Sequence, residues 1–200
     1  KLYELFKNCV EGKYIHTENG GDYFSKRLGN TLYIYFQCSN GKEDWKNNLD
    51  FPAKPYNKIG KLYIEVFPVF GNRLTIHKDI IKDNTIENIV IVGYSHGAAL
   101  AAMCHEYIWF NRPDLREKIV GYGFGCPRIF WGLKPKKLAI RWKSFTVIRN
   151  IDDIVTHVPP LIFGYSHIGN IIKIGKRGKY SMVDAHRPEN ILKELIENDL

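Results

Sequence analysis

The sequence has few cysteines and no long apolar run. No stretch reaches the roughly 18 apolar residues that a membrane-spanning helix needs, and Lys1–Val10 lacks the apolar core of a signal peptide. The four cysteines show no Cys-x-x-Cys metal spacing and are too few for a disulfide scaffold; they are Cys9, Cys38, Cys104 and Cys126. We therefore expect a soluble protein with buried or free thiols, in a reducing and hence intracellular compartment.

The chain has 200 residues, of which 44% are hydrophobic, so we expect a single domain over residues 1–200 with a sizeable core. Its formal net charge is +8. Two interpretations of this charge stay open, a solvated Lys-rich surface or a transient contact with an anionic membrane surface. Such a contact would involve a basic cluster of Lys134, Lys136, Lys137, Arg141 and Lys143. We expect no nucleic-acid partner.

The main functional signal is a Gly-x-Ser-x-Gly segment, Gly93–Gly97, between a predicted strand and a predicted helix. Ile89–Val92 is a short β-branched run, typical of a strand inside a parallel sheet. From Gly97 onward, Ala, Leu and Met favour a helix. Such a turn exposes Ser95 Oγ at the sheet edge and directs the backbone N–H of His96 towards a developing oxyanion. The pentapeptide alone also fits an ordinary turn, but its context makes Ser95 a candidate nucleophile.

Strands and helices alternate along the rest of the chain, which predicts an α/β fold with a mostly parallel sheet. The predicted strands are Tyr14–His16, Thr31–Phe36, Leu62–Phe67, Ile119–Phe124 and Phe145–Arg149. Besides the helix from Gly97 to Phe110, we expect helices at Arg73–Asp83 and from Pro188 onward, and a short helix or tail at Lys1–Val10. Pro52–Gly60 is predicted as a loop, and Ile168–Ile174 with Tyr180–Val183 as a hairpin.

An activated serine needs a base, and the base needs an acid to orient it. Asp152 and Asp153 both follow a predicted strand, where functional groups of open α/β sheets lie. If the order is serine, acid and histidine, as in α/β-hydrolases, the candidate bases are His157, His167 and His186. The position of His186, just before the last helix, favours it.

Four ordered patches resemble the class 3 lipase family, of the fungal triacylglycerol lipase type. They are Leu32–Ser39 with Asp44-Trp45, Val92–Ala101, Phe124–Arg128 and Asn150–Pro160. The resemblance implies an α/β-hydrolase fold, with a mostly parallel central sheet flanked by helices. It also implies a Ser95, Asp153 and His186 triad, with an oxyanion hole formed by Ser39 and His96. The histidine of the Tyr165–Gly169 stretch, His167, is not catalytic in the family.

The chain also departs from the family pattern. Gln37-Cys38-Ser39 stands where the family usually has Arg-Gly-Ser or Arg-Gly-Thr, and the brief Pro52–Leu62 region implies a reduced lid. The resemblance implies hydrolysis of a lipid or small ester through an acyl-enzyme, with no metal or organic cofactor. The altered loop supports one alternative, a catalytically inactive lipase-like module with a binding or regulatory role.

Overall fold

A computed structural model describes residues 1–15, 22–36, 54–59, 62–66, 82–131 and 140–200, with the backbone alone for 54–59 and 62–66. Three α-helices lie in these ranges: α1 (Leu2–Glu11), α2 (His96–Asn111) and α3 (Pro188–Glu197). The first five strands are β1 (Tyr23–Leu28), β2 (Thr31–Phe36), β3 (Lys54–Ile59), β4 (Leu62–Val66) and β5 (Asn88–Tyr94). The other five are β6 (Ile119–Phe124), β7 (Phe130–Trp131), β8 (Phe145–Asn150), β9 (Tyr165–Ser166) and β10 (Asn170–Ile174).

Six strands form the main sheet, in the order β1-β2-β5-β6-β8-β10. The β1–β2 pair is antiparallel, and the other four pairs are parallel. The carboxyl ends of β5, β6 and β8 therefore meet at one edge, near the centre of the sheet. This arrangement confirms the predicted α/β fold, and the edge is where functional groups of such sheets lie.

Helices cover both faces of the sheet because the central strands are apolar on both sides. In β5, Ile91 belongs to the core shared with α2, whereas its neighbour Val92 belongs to the core shared with α1 and α3. This follows from the two-residue alternation of a strand. Helix α2 has buried residues all round its axis over most of its length, which explains its nearly uniform apolar composition.

Most predicted elements agree with the structure, including the helix near the amino terminus and the strands over β2, β6 and β8. The loop predicted at Pro52–Gly60 is wrong, because β3 pairs with β4 in a two-stranded antiparallel hairpin. The prediction took Pro55 as evidence against a strand. Both strands of a two-stranded sheet are edge strands, however, and edge strands tolerate proline. Whether this region acts as a reduced lid stays a prediction.

Two further predictions differ from the structure. Tyr180–Val183 does not pair with β10, which instead pairs with β8 in parallel. The segment after β10 leads into a short 3₁₀ helix at Asp184–His186. The predicted Tyr14–His16 strand is reduced to one bridge, between Ile15 and Tyr23, and β1 was not predicted. The helix predicted at Arg73–Asp83 lies almost wholly outside the described residues.

Arg141 is not a surface residue, so its place in the predicted basic cluster is wrong. It is only 3% exposed and forms an ion pair with Glu106 of α2. Lys143 is exposed, whereas Lys134, Lys136 and Lys137 lie outside the described residues. Three cysteines of the described residues are buried: Cys9, Cys104 and Cys126. Across the described ranges, no helix is long and apolar enough to cross a membrane.

Candidate active site

Ser95 occupies a strained turn between β5 and α2. Its φ of 57° and ψ of −122° lie in a region that L-residues rarely adopt. The turn is tight, since a Cβ on Gly93 would lie 2.1 Å from the carbonyl oxygen of Gly97. The Ser95 N–H donates to the Phe124 carbonyl at 2.9 Å, which ties the turn to β6. Strain held by surrounding structure is typical of a functional position.

Asp153 lies in the turn that follows β8 and is fully buried. Its Oδ1 accepts the N–H of Val155 at 2.8 Å, so the carboxylate caps the 3₁₀ helix at Ile154–His157. Its other carboxylate oxygen, Oδ2, remains available to a neighbour. The adjacent Asp152 is used differently, because its Oδ2 accepts the N–H of Gly178 at 2.7 Å in an exposed turn. The two candidate acids are therefore distinguished by their contacts.

His186 lies between the other two predicted side chains. Its Nδ1 is 2.8 Å from Asp153 Oδ2, and its Nε2 is 2.7 Å from Ser95 Oγ. An ionised carboxylate can only accept a hydrogen bond, so Nδ1 must carry a proton and donate it. In the neutral ring, Nε2 is then left to accept the Ser95 hydroxyl proton. The structure thus brings Ser95, His186 and Asp153 together in the arrangement that activates a serine.

Gly125 provides space for this contact at the end of β6. A Cβ there would lie 2.7 Å from His186 Cε1 and 3.1 Å from Asp153 Oδ2. Its φ of +58° also favours glycine. Gly125 lies in the Phe124–Arg128 patch that resembles the family, but the sequence alone indicated no function for it. A glycine directly after a buried strand was the available signal.

The other two candidate histidines stabilise the acid loop, the Asn150–Pro160 segment that carries Asp153. His157 Nδ1 donates to the Asp153 carbonyl at 2.7 Å, while its Nε2 accepts from Arg149 at 2.6 Å. His167 Nε2 donates to the Thr156 carbonyl at 2.8 Å. Neither ring is bonded to Ser95. Both instead fix the backbone that positions Asp153.

A second Ser–His contact exists in the described part of the chain, between Ser144 and His105. The Ser144 Oγ is 2.8 Å from His105 Nε2. However, burial lowers the pKa of His105 to about 3, with the charge of Arg141 acting in the same direction. Within the described ranges, His105 Nδ1 also has no hydrogen-bond partner. Among the residues that the structure describes, the Ser144–His105 pair therefore has no carboxylate in the position that Asp153 occupies beside His186. In addition, the low pKa means that the His105 ring does not readily accept a proton.

Of the two predicted oxyanion donors, only His96 lies within the described residues. His96 is the first residue of α2, where backbone N–H groups lack intrahelical acceptors and the helix dipole favours negative charge. Ser39 lies outside the described residues. In the described ranges, no group of three His, Cys, Asp or Glu side chains is arranged to hold a metal ion.

The protein has a mostly parallel sheet, a strained serine after β5 and a Ser-His-Asp contact. These features place it in the class of proteins with an α/β-hydrolase fold. The family model described as Lipase (class 3) matches residues 33–163. This chain therefore belongs to the class 3 lipase family. The family assignment confirms the resemblance found in the sequence.

Similar proteins agree with this assignment. The lipase of Rhizomucor miehei is 25% identical over 146 residues, which are 70% of this chain and 40% of that protein. The solved triacylglyceride lipase of R. miehei has a TM-score of 0.66 at 21% identity, over 82% of this chain and 66% of that one. The lipase of Rhizopus microsporus var. chinensis has a TM-score of 0.65 at 21% identity, over 80% and 60%. The solved structures share the fold, and this chain spans 40% of the length of the curated relative.

Proposed function

We propose that this protein is a serine hydrolase that cleaves carboxylic esters of lipids. The observation that carries the proposal is the continuous contact from Ser95 Oγ through the His186 ring to Asp153 Oδ2, at 2.7 and 2.8 Å. Membership of the class 3 lipase family supports the same chemistry. The Ser-His-Asp arrangement recurs on several folds, and it is recognised by its geometry.

The proposed mechanism follows from the proton positions. Ser95 Oγ attacks the ester carbonyl while His186 Nε2 accepts the hydroxyl proton. Asp153 stays ionised and stabilises the imidazolium through Nδ1. The same ring then protonates the leaving alcohol, which produces an acyl-enzyme on Ser95. Water activated by His186 releases the acid and restores the serine.

The proposed oxyanion hole combines a backbone donor with a loop residue. The His96 N–H, at the first position of α2, follows directly after the nucleophile in the chain. Ser39 is the second proposed donor, through its backbone N–H and hydroxyl. The loss of one such donor typically lowers the rate by roughly 10²–10³-fold.

Exposed apolar side chains beyond the acid loop support a lipid ester as the substrate. Leu161, Ile162 and Phe163 form a short 3₁₀ helix and are 63%, 87% and 55% exposed. Trp131 is 43% exposed, and its Nε1 donates to the Phe163 carbonyl at 2.9 Å. A group of bulky apolar residues on a protein surface is typical of a site that meets an apolar ligand. Contact with an anionic membrane surface stays a prediction.

Acyl-chain preference tests this proposal. We expect hydrolysis of p-nitrophenyl esters with a rate maximum at C8 or longer, since the apolar surface would meet a long chain. The measurement is the initial rate across acyl lengths from C2 to C16, for the wild type and Ser95→Ala. Ser95→Ala measures the background rate that is not due to this site.

The outcomes separate the candidate functions. Activity limited to C2–C4 esters would identify a carboxylesterase and contradict the lipid substrate. A folded wild type that is inactive on every ester would favour the inactive lipase-like module, which the Gln37-Cys38-Ser39 loop supports. Activity that persists in Ser95→Ala would contradict the proposed nucleophile.

A further inference from the structure

Tyr94 connects the nucleophile turn to the main chain of His186. It is the last residue of β5 and directly precedes Ser95. Its hydroxyl donates to the His186 backbone carbonyl at 2.5 Å, although the two residues are 92 positions apart. Its ring also stacks on the His186 imidazole, with centroids 5.2 Å apart and planes inclined by 26°. One side chain therefore contacts both the backbone and the ring of the proposed base.

The segment that carries His186 needs such contacts because it is short. The 3₁₀ helix Asp184–His186 has three residues and lies outside the sheet. A second strand-end residue also holds it, since Asn150 Nδ2 donates to the Ala185 carbonyl at 3.1 Å. Tyr94 and Asn150 end β5 and β8, the strands that lead to Ser95 and Asp153. The positions of all three members of the proposed triad are thus fixed by residues at the same edge of the sheet.

Tyr94 is itself fixed by packing. It is 6% exposed, and Phe6 of α1 meets its ring edge-on at 5.4 Å between centroids. Phe6 also packs on Phe124 at the end of β6, with centroids 4.8 Å apart. The hydroxyl therefore has little freedom to leave the His186 carbonyl. A side chain held this way can transmit a fixed position to its partner.

We propose that Tyr94 is a positioning residue that holds His186 at hydrogen-bonding distance from Ser95. This inference deepens the proposed function and rests on it. The hydroxyl fixes the His186 backbone, and the ring face supports the imidazolium that forms when the base accepts a proton. Tyr94 does not react with the substrate, so its effect falls on proton transfer.

The test uses Tyr94→Phe, which keeps the ring and removes only the hydroxyl. We expect kcat to fall about 10-fold, less than the roughly 10²-fold that a 1 Å misplacement of a reacting group can cost. We expect KM to stay within about twofold, because an interaction that acts on proton transfer changes kcat rather than uniform binding. The proton NMR signal of His186 Nδ1–H should exchange with water faster than in the wild type, because the Asp153 contact loosens.

Tyr14→Phe is the matched control. The Tyr14 hydroxyl donates to the Cys9 carbonyl, also at 2.5 Å, and its ring packs edge-on against Phe24. This variant loses the same kind of hydrogen bond at a place where the contacting residues, Cys9 and Phe24, do not belong to the proposed triad. We expect it to keep wild-type kcat and the wild-type Nδ1–H signal.

Each outcome decides the proposal. A loss of kcat and faster Nδ1–H exchange in Tyr94→Phe, with neither in Tyr14→Phe, supports it. Wild-type behaviour of Tyr94→Phe, equal losses in both variants, or failure of Tyr94→Phe to fold would each overturn it, the last two in favour of a structural role. If the wild type cleaved no ester, the proposed function would fail, while the Nδ1–H signal would still show whether Tyr94 positions the ring.

Discussion

Asp153→Asn is expected to lower kcat for p-nitrophenyl ester hydrolysis by about 10⁴-fold. The substitution keeps the shape of the side chain but allows its amide to donate a hydrogen bond to His186 Nδ1. The proton of the neutral ring then moves to Nε2, which can no longer accept the Ser95 hydroxyl proton. Because Asp153 is fully buried behind the ring, KM should change little.

Asp152→Asn is the control for this prediction. It makes the same replacement of a carboxylate by an amide in the neighbouring residue. The Asp152 carboxylate, however, accepts the Gly178 N–H in an exposed turn. We expect its kcat to stay within about twofold of the wild type, as for substitutions away from the reacting groups. Equal losses in the two variants, or near wild-type activity of Asp153→Asn, would show that Asp153 does not orient the base.

Arg141→Met is expected to destabilise the fold by about 3–5 kcal/mol at pH 8. The variant leaves Glu106 buried without its counter-ion, although the carboxylate keeps the Trp142 Nε1–H bond at 2.8 Å. Both partners of the pair are nearly inaccessible, with side chains 2% and 3% exposed. Urea denaturation of the wild type and the variant measures the difference in the free energy of unfolding.

The pH dependence identifies the cause of that loss. Burial raises the pKa of Glu106 above its ordinary value of 4.5, while Arg141 acts in the opposite direction. The folded state therefore binds this proton more tightly than the unfolded state, so the contribution of Glu106 to stability falls as pH rises above about 4.5. Without Arg141 the pKa of Glu106 rises further. The deficit of Arg141→Met should thus shrink as pH is lowered from 8 to 5.

Two further variants complete this experiment. The double variant Arg141→Met with Glu106→Gln should be more stable than Arg141→Met alone at pH 8, because no buried charge remains unpaired. Lys143→Met changes an exposed lysine of the same segment and should alter the free energy of unfolding by about 0.5 kcal/mol or less. A deficit of Arg141→Met that is independent of pH would indicate lost packing on the Phe110 and Trp142 rings instead.

Local sequence was sufficient to predict the elements that are buried on both faces. Thr31–Phe36 and Ile119–Phe124 are continuous β-branched or apolar runs, and both strands have the predicted bounds. The turn at Ser95 could also be predicted from local sequence, because such a tight turn requires a residue without a side chain at position 93, and the sequence has Gly93 there. In contrast, β1 has four exposed residues out of six, three of them polar, and no strong periodic signal. Tyr180–Val183 has strand-like composition, but Tyr180 bonds to Glu194 of α3.

Contacts between distant residues could not be predicted from the sequence. The charge of Arg141 suggested a surface residue, because its partner Glu106 lies 35 positions earlier in the chain. By chain order alone, His157 and His167 were candidate bases beside His186, whereas in the structure both are bonded to the acid loop. The Tyr94 hydroxyl and its acceptor are separated by 92 positions, so neither segment alone reveals the bond. The chain order of serine, acid and histidine reduced the candidate bases to three. The contact with Ser95 in the tertiary structure distinguishes His186 from the other two.

Covalent labelling with a fluorophosphonate tests most directly whether Ser95 is an activated nucleophile. We expect the wild type to bind one label per chain, and peptide mapping to locate it on Ser95. Ser95→Ala should remain unlabelled, whereas Ser144→Ala, which removes the other Ser–His contact of the described residues, should be labelled like the wild type. A folded wild type that takes no label, or a label that persists in Ser95→Ala, would contradict the account.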